Sequence, residues 1–151
     1  MGSGLAKLRE GVAGKAEVRI LMVGLEFAGK TTILYRLRPG KVAAADPTVG
    51  FGLERWEHVN GGRRLSVTAW DVGGEAEARE LQRPHCEGAH GLIFVVDSRD
   101  WDRIDVAREE LHGLLREEAL RDAAVLVLAN KQDLVSARSP EELTERLPPA
   151  Q

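Results

Sequence analysis

The stretch Gly24–Leu25–Glu26–Phe27–Ala28–Gly29–Lys30–Thr31–Thr32 constrains what this chain can fold into more than any other. It has the form G-x-x-x-x-G-K-[ST] and lies between segments of different periodicity. Upstream, Val18–Arg19–Ile20–Leu21–Met22–Val23 is an apolar, β-branched run that reads as a strand. Downstream, Ile33–Leu34–Tyr35–Arg36–Leu37 continues as a helix. A glycine turn between a strand and a helix N-terminus aims several backbone N–H groups at one point, and the helix dipole adds positive potential there. Such a turn cradles phosphate. Gly24, Leu25, Glu26, Phe27, Ala28, Gly29, Lys30, Thr31 and Thr32 are the expected cradle, with Lys30 reaching the β- and γ-phosphates and the Thr31 hydroxyl ligating Mg2+.

The 151 residues suffice for one domain with a proper core, but not for two. Lys and Arg total 21 against 24 Asp and Glu, a formal charge of −3, with no basic run to suggest nucleic acid and no acidic tail to suggest disorder. The lone Cys86 excludes an internal disulfide or a cysteine-cluster metal site and reads as a buried or idle thiol. His58, His85, His90 and His112 show no metal-ligand spacing. No apolar stretch has the length of a membrane span and no secretory signal begins the chain, so an intracellular, cytoplasmic domain is expected.

Three parts are expected: an N-terminal amphipathic arm at 1–15, one domain at 16–147 and a tail at 148–151. In the arm, Leu5, Leu8 and Val12 recur at helical spacing with Lys7, Arg9 and Lys15 around them, a narrow apolar stripe with a basic rim suited to a membrane surface over 2–13. The competing readings are a frayed terminus and a helix packed on the domain's own surface. Gly11 and Gly14 are expected to end the helix, and Met1–Gly2 makes Gly2 a candidate for myristoylation, although position 6 is Ala6. One acyl chain binds membranes marginally, and each aliphatic side chain adds about 1.5–3 kcal/mol if fully buried, so attachment would be reversible.

Beyond the first helix, Pro47–Thr48–Val49–Gly50–Phe51 follows a connecting segment, and Thr48 is a candidate second hydroxyl on Mg2+, made only when a γ-phosphate is present. Phe51 to Val59 and Arg63 to Trp70 alternate as a hairpin around Asn60–Gly61–Gly62. The second strand ends in Trp70–Asp71–Val72–Gly73–Gly74. An aspartate at a strand end, followed by glycine, can hold a Mg2+-bound water while a backbone N–H meets the γ-phosphate. The segment Glu75–His90 is polar and ill-patterned, as a mobile switch would be. Gly91–Leu92–Ile93–Phe94–Val95–Val96–Asp97 and Ala123–Ala124–Val125–Leu126–Val127–Leu128–Ala129 read as buried parallel strands, with the stripe Ile104, Ala107, Leu111, Leu114, Leu115 as a helix between them. This alternation predicts a doubly wound α/β sheet with ligands at the strands' carboxyl ends.

Asn130–Lys131–Gln132–Asp133 follows the last strand. Guanine presents N1–H and N2–H2 as adjacent donors that one carboxylate, Asp133, can accept together, whereas adenine offers a lone pair at N1 and repels it. Asn130 can reach the Hoogsteen edge and tie this loop to the phosphate loop, and the Lys131 stem can lie along the ring.

With these motifs in order, the sequence resembles the ADP-ribosylation factor (Arf) branch of the Ras-type small GTPases from Gly2 to about Leu147. The most specific matches are Ile20–Leu25, Pro47–Phe51, Trp70–Gly74, Gly91–Ser98 and Ala129–Leu134. The resemblance implies a Ras-like P-loop fold: a doubly wound, mostly parallel sheet with one antiparallel hairpin, here lacking the family's last strand and helix. It implies a GTP/GDP switch using Mg2+, whose myristoylated N-terminal helix is released to Golgi or other intracellular membranes in vesicle-mediated protein transport. Thr31 and Thr48 would bind Mg2+, with Asp71 acting through water, and Gly74 would meet the γ-phosphate. Asn130, Lys131 and Asp133 would read guanine. Exchange factors, GTPase-activating proteins, effectors and coat proteins would engage Phe51, Trp70 and 75–86.

Several positions depart from that pattern. Glu75 stands where the family places the glutamine that orients the attacking water, so the catalytic candidates are Lys30 and an altered Glu75. A carboxylate cannot donate to developing negative charge, and losing one preorganised donor costs about 2.7–4 kcal/mol. Slow hydrolysis is the expectation. Gly52, Asp46, Gln82 and His85 differ from the family around the partner-binding face, the hairpin is longer, and the chain reaches Pro148–Pro149–Ala150–Gln151 after one further helix start at Ser139–Leu143. Weaker nucleotide binding is therefore expected. The competing functions are a pseudo-GTPase serving as a binding module, a peripheral membrane element residing in the arm, and, more distantly, an ATP-using enzyme, which Asp133 disfavours.

Overall fold

A computed structural model describes residues 2–37, 43–46, 53–73 and 80–147. The elements run α1 (Gly2–Val12), β1 (Glu17–Leu25), α2 (Lys30–Leu37), β2 (Ala43–Asp46), β3 (Leu53–Asn60), β4 (Arg63–Val72), β5 (Gly91–Asp97), α3 (Ile104–Leu115), β6 (Ala124–Asn130) and α4 (Pro140–Arg146). Six strands form one sheet in the order β2-β3-β4-β1-β5-β6. β1 is parallel to β4 and β5, and β5 to β6, while β3 is antiparallel to β2 and β4. The architecture is the expected α/β sheet, mostly parallel, with the hairpin closed by Gly61 and Gly62, both at positive φ as a two-residue turn demands. β2 lies in the segment read only as a connection.

β1 explains why the central strands are apolar throughout. Val18, Ile20 and Met22 face one layer with α2's Leu34, and Leu21, Val23 and Leu25 face the other with Ile104, Ala107, Leu111 and Leu114 of α3. Side chains alternate across a strand, so a sheet covered on both faces needs apolar residues at every position. β6 departs from the expectation of a buried strand. All seven of its residues are only half-buried, because it is the edge of the sheet among the described residues and has one neighbour instead of two.

The N-terminal arm is a helix, and it lies on the domain. Leu8 and Val12 join the apolar layer that holds α2's Leu34, and the helix lies mainly across β6 and β5. It runs through Gly11, expected to end it, and stops at Val12. Arg63, at the start of β4, holds its end: Nη2 donates to the Val12 carbonyl at 3.2 Å and Nε to that of Lys15 at 3.0 Å. The Val12 carbonyl also accepts from the Lys15 N–H at 3.3 Å, and a guanidinium there complements the negative end of the helix dipole. At the far end of the chain, Ser139 and Glu142 form a capping box that starts α4. Arg146 then reaches Asp105 on α3 at 2.6 Å, and that ion pair holds the Asp105 carboxyl below its ordinary range. No helix of the described residues is long and apolar enough to cross a membrane.

Candidate nucleotide site

The register brings the motif residues together. Gly24 lies opposite Asp71 on one neighbouring strand and Val95 on the other, and Asp97 lies opposite Asn130. The 24–32 loop, Asp71 and the 130–133 loop therefore emerge at one end of the sheet, the carboxyl ends of its parallel strands, where ligands bind in open α/β folds. Two glycines permit the close approach. A Cβ on Gly24 would stand 2.3 Å from the Val95 carbonyl oxygen, and one on Gly29, whose φ is +102°, would stand 2.3 Å from Asn130 Nδ2.

A cavity of about 460 Å3 opens there, lined by Glu26, Phe27, Gly29, Lys30, Thr31, Thr32, Asp71 and Lys131. Lys30 is buried beneath it. Its ammonium donates to the carbonyls of Gly24 at 3.0 Å and Leu25 at 2.9 Å and pairs with the Asp71 carboxylate at 2.6 Å. These contacts compensate a buried ammonium that would otherwise be strongly disfavoured, and they hold the charge at the mouth of the loop. The Thr31 hydroxyl donates to the Glu54 carboxylate at 3.2–3.3 Å. Thr31, Asp71 and Glu54 offer only oxygen ligands, the chemistry suited to Mg2+, which keeps several waters and takes few protein ligands when phosphates supply the rest.

The 130–133 loop is hydrogen-bonded to the 24–32 loop. Asn130 Nδ2 donates to the Ala28 carbonyl at 2.9 Å, and Lys131 Nζ to the Phe27 carbonyl at 2.8 Å and to Asp97 at 2.8 Å. The non-glycine residues at positive φ among those described are Phe27 and Lys131, both at 67°, and they are joined by one of these bonds. Left-handed backbone at such residues costs on the order of 1–3 kcal/mol and persists where surroundings over-determine it, commonly at ligand sites. The exposed Phe27 ring recovers none of that through packing.

Other expected positions fall elsewhere. Thr48, Phe51, Gly74 and Glu75 lie outside the described residues. Gly2 is the first residue of α1. Trp70, assigned to the partner-binding face, is 1% exposed in the core, on the inward side of β4 with the His85 ring 6.1 Å from its own. The second half of 75–86 is also anchored: Gln82 is buried and donates to the Asp71 carbonyl at 3.4 Å, and Cys86 sits in the core. Burial raises the Cys86 thiol from 9.0 to about 11, the inert thiol expected.

Sequence reasoning missed Glu54 on Thr31, Asp97 on Lys131 and Arg103, whose Nη2 donates to the Glu26 carbonyl at 2.9 Å. Asp97 was findable, as a carboxylate at the carboxyl end of a central strand. Glu54 and Arg103 reach the site only through tertiary folding.

One end of the sheet thus brings together the 24–32 loop, the buried Lys30 ammonium paired with Asp71, the oxygens of Thr31 and Glu54, and the 130–133 loop, which is hydrogen-bonded to the 24–32 loop. In agreement with this arrangement, the profile of the ADP-ribosylation factor family matches residues 5–150, nearly the whole chain. The chain belongs to the ADP-ribosylation factor family.

Proposed function

We propose that this protein is a guanine-nucleotide switch that alternates between GTP- and GDP-bound forms with Mg2+ and is recruited reversibly to Golgi or other intracellular membranes in vesicle-mediated protein transport. Family membership supports the nucleotide chemistry. The observation that carries the reading is the direct bonding of Asn130 and Lys131 to the Ala28 and Phe27 carbonyls, which supports the two loops acting together as one receptor for both ends of a nucleotide. In this reading the 24–32 loop holds the phosphates, Thr31 and Thr48 ligate Mg2+ with Asp71 acting through water, Gly74 contacts the γ-phosphate, and Asn130, Lys131 and Asp133 read guanine. Exchange factors, activating proteins and effectors engage Phe51 and 75–86, with Trp70 buried behind that face. The 2–13 segment, acylated at Gly2, supplies the membrane contact. Titration with GDP, GTP and ATP in Mg2+ tests the assignment: tight guanine binding is expected, and equal uptake of ATP and GTP overturns it.

Glu75 supports slow hydrolysis, because a carboxylate there repels the γ-phosphate and donates nothing to the transition state. Single-turnover hydrolysis by Glu75→Gln should exceed the native rate by roughly 10²–10³; equal rates refute this. The same residue favours a second reading, a pseudo-GTPase acting as a protein-binding module. Purification free of nucleotide, with no uptake of GTP, would select it.

A further inference from the structure

Three consecutive residues at the carboxyl end of β5, Asp97 to Arg99, clasp the loop that carries Asp133. Asp97 holds Lys131. Arg99 Nε donates to the Ser136 hydroxyl at 3.0 Å. Between them Ser98, 0% exposed, bonds three ways: its N–H donates to the Asn130 carbonyl at 3.1 Å, its carbonyl accepts from the Arg138 N–H at 2.8 Å, and its hydroxyl accepts from Gln132 Nε2 at 2.8 Å. Gln132 Nε2 also donates to the Arg138 carbonyl at 2.8 Å. Both N–H bonds of one side-chain amide are thus spent drawing the start of the loop onto its end, immediately before Asp133. Among the described residues the Asp133 carboxylate itself takes no hydrogen bond, and its position follows from the backbone on either side. Asn130 and Lys131 fasten the loop to the phosphate cradle, but neither fixes the peptide that Asp133 extends from.

We infer that Gln132, seated on Ser98, is the positioning residue that determines how strictly Asp133 distinguishes guanine from purines lacking the 2-amino group. The inference rests on the guanine reading above and assigns its selectivity to residues that do not touch the base. A carboxylate accepting N1–H and N2–H together needs both oxygens in the base plane, and one fixed anchor on its backbone provides that. When the anchor is released, the carboxylate keeps one donor and loses the second. The GDP preference therefore falls while binding through the phosphates persists.

The experiment measures affinities of the full chain for GDP, inosine diphosphate and ADP in Mg2+, by displacement of a fluorescent nucleotide. The variants are Gln132→Ala, Gln132→Met and Ser98→Ala, with thermal melts to confirm folding. Inosine diphosphate retains N1–H and lacks the 2-amino donor. The native protein should prefer GDP to inosine diphosphate, and Gln132→Ala should reduce that ratio roughly 3- to 10-fold, the value of one hydrogen bond. Gln132→Met, which keeps the length of the side chain and removes its donors, should do the same, so loss of folding in one variant leaves the other decisive. Ser98→Ala should give a smaller reduction, since Gln132 retains the Arg138 carbonyl. An unchanged ratio in a folded Gln132 variant, even with both affinities lowered equally, overturns the positioning role and leaves the guanine reading intact. Native protein that fails to prefer GDP over ADP overturns that reading, and this inference with it.

Discussion

Gly29→Ala tests the junction on which the pocket depends. Gly29 has a φ of +102°, and a methyl group there would stand 2.3 Å from Asn130 Nδ2. Left-handed backbone costs an L-residue about 1–2 kcal/mol. The clash adds to this, because Asn130 cannot withdraw without giving up its bond to the Ala28 carbonyl, at about 0.5–1.5 kcal/mol and more if that oxygen is left unsatisfied. The expected loss is about 2–4 kcal/mol. At about 2–4 °C per kcal/mol for a chain of this size, a loss of 3 kcal/mol lowers the melting midpoint roughly 6–12 °C. A double-mutant cycle with Asn130→Ala, read by urea unfolding, separates the contributions. With the amide gone, Gly29→Ala should cost only its backbone strain, so the pair should be less destabilising than the sum of the single variants by about 1 kcal/mol or more. Additivity within about 0.5 kcal/mol would refute the contact between the two loops, and a stable Gly29→Ala would refute the backbone argument as well.

Glu54→Ala removes the acceptor of the Thr31 hydroxyl; by the usual effect of a ligand's outer partner, Mg2+ affinity of the nucleotide complex should fall about 10-fold, measured by magnesium titration of nucleotide release. Arg63→Ala removes the clamp on the end of α1 and should cost about 1–2 kcal/mol, with faster amide hydrogen exchange confined to residues of α1. The Cys86 thiol is raised on folding, so the folded chain keeps a proton that the unfolded chain releases; stability from this group is intact below pH 9 and declines as pH rises toward about 11. Urea midpoints at pH 8 and 10.5 should therefore fall further for the native protein than for Cys86→Ala, and native Cys86 should react with a thiol reagent only after unfolding.

The sequence by itself determined the order of strands and helices around the sheet's parallel centre, because alternation, apolar runs and turn glycines are local signals. It also singled out 24–32 and Asn130–Lys131–Gln132–Asp133, the two segments that the fold brings together, because each is a run of consecutive residues. It could not say that α1 lies on the sheet, since the narrow stripe of Leu5, Leu8 and Val12 suits a membrane surface and a protein surface equally. Only folding brought Leu8 and Val12 against the core and set Arg63 on the end of the helix. Trp70 shows the same limit: its strand was legible, but its burial depends on the residues that fold over that face, His85 among them. The contacts that join the site, Asn130 to Ala28 and Glu54 to Thr31, span 102 and 23 residues. Register and the order of strands decide such meetings, and those are properties of the sheet as a whole, carried by no short stretch of the chain.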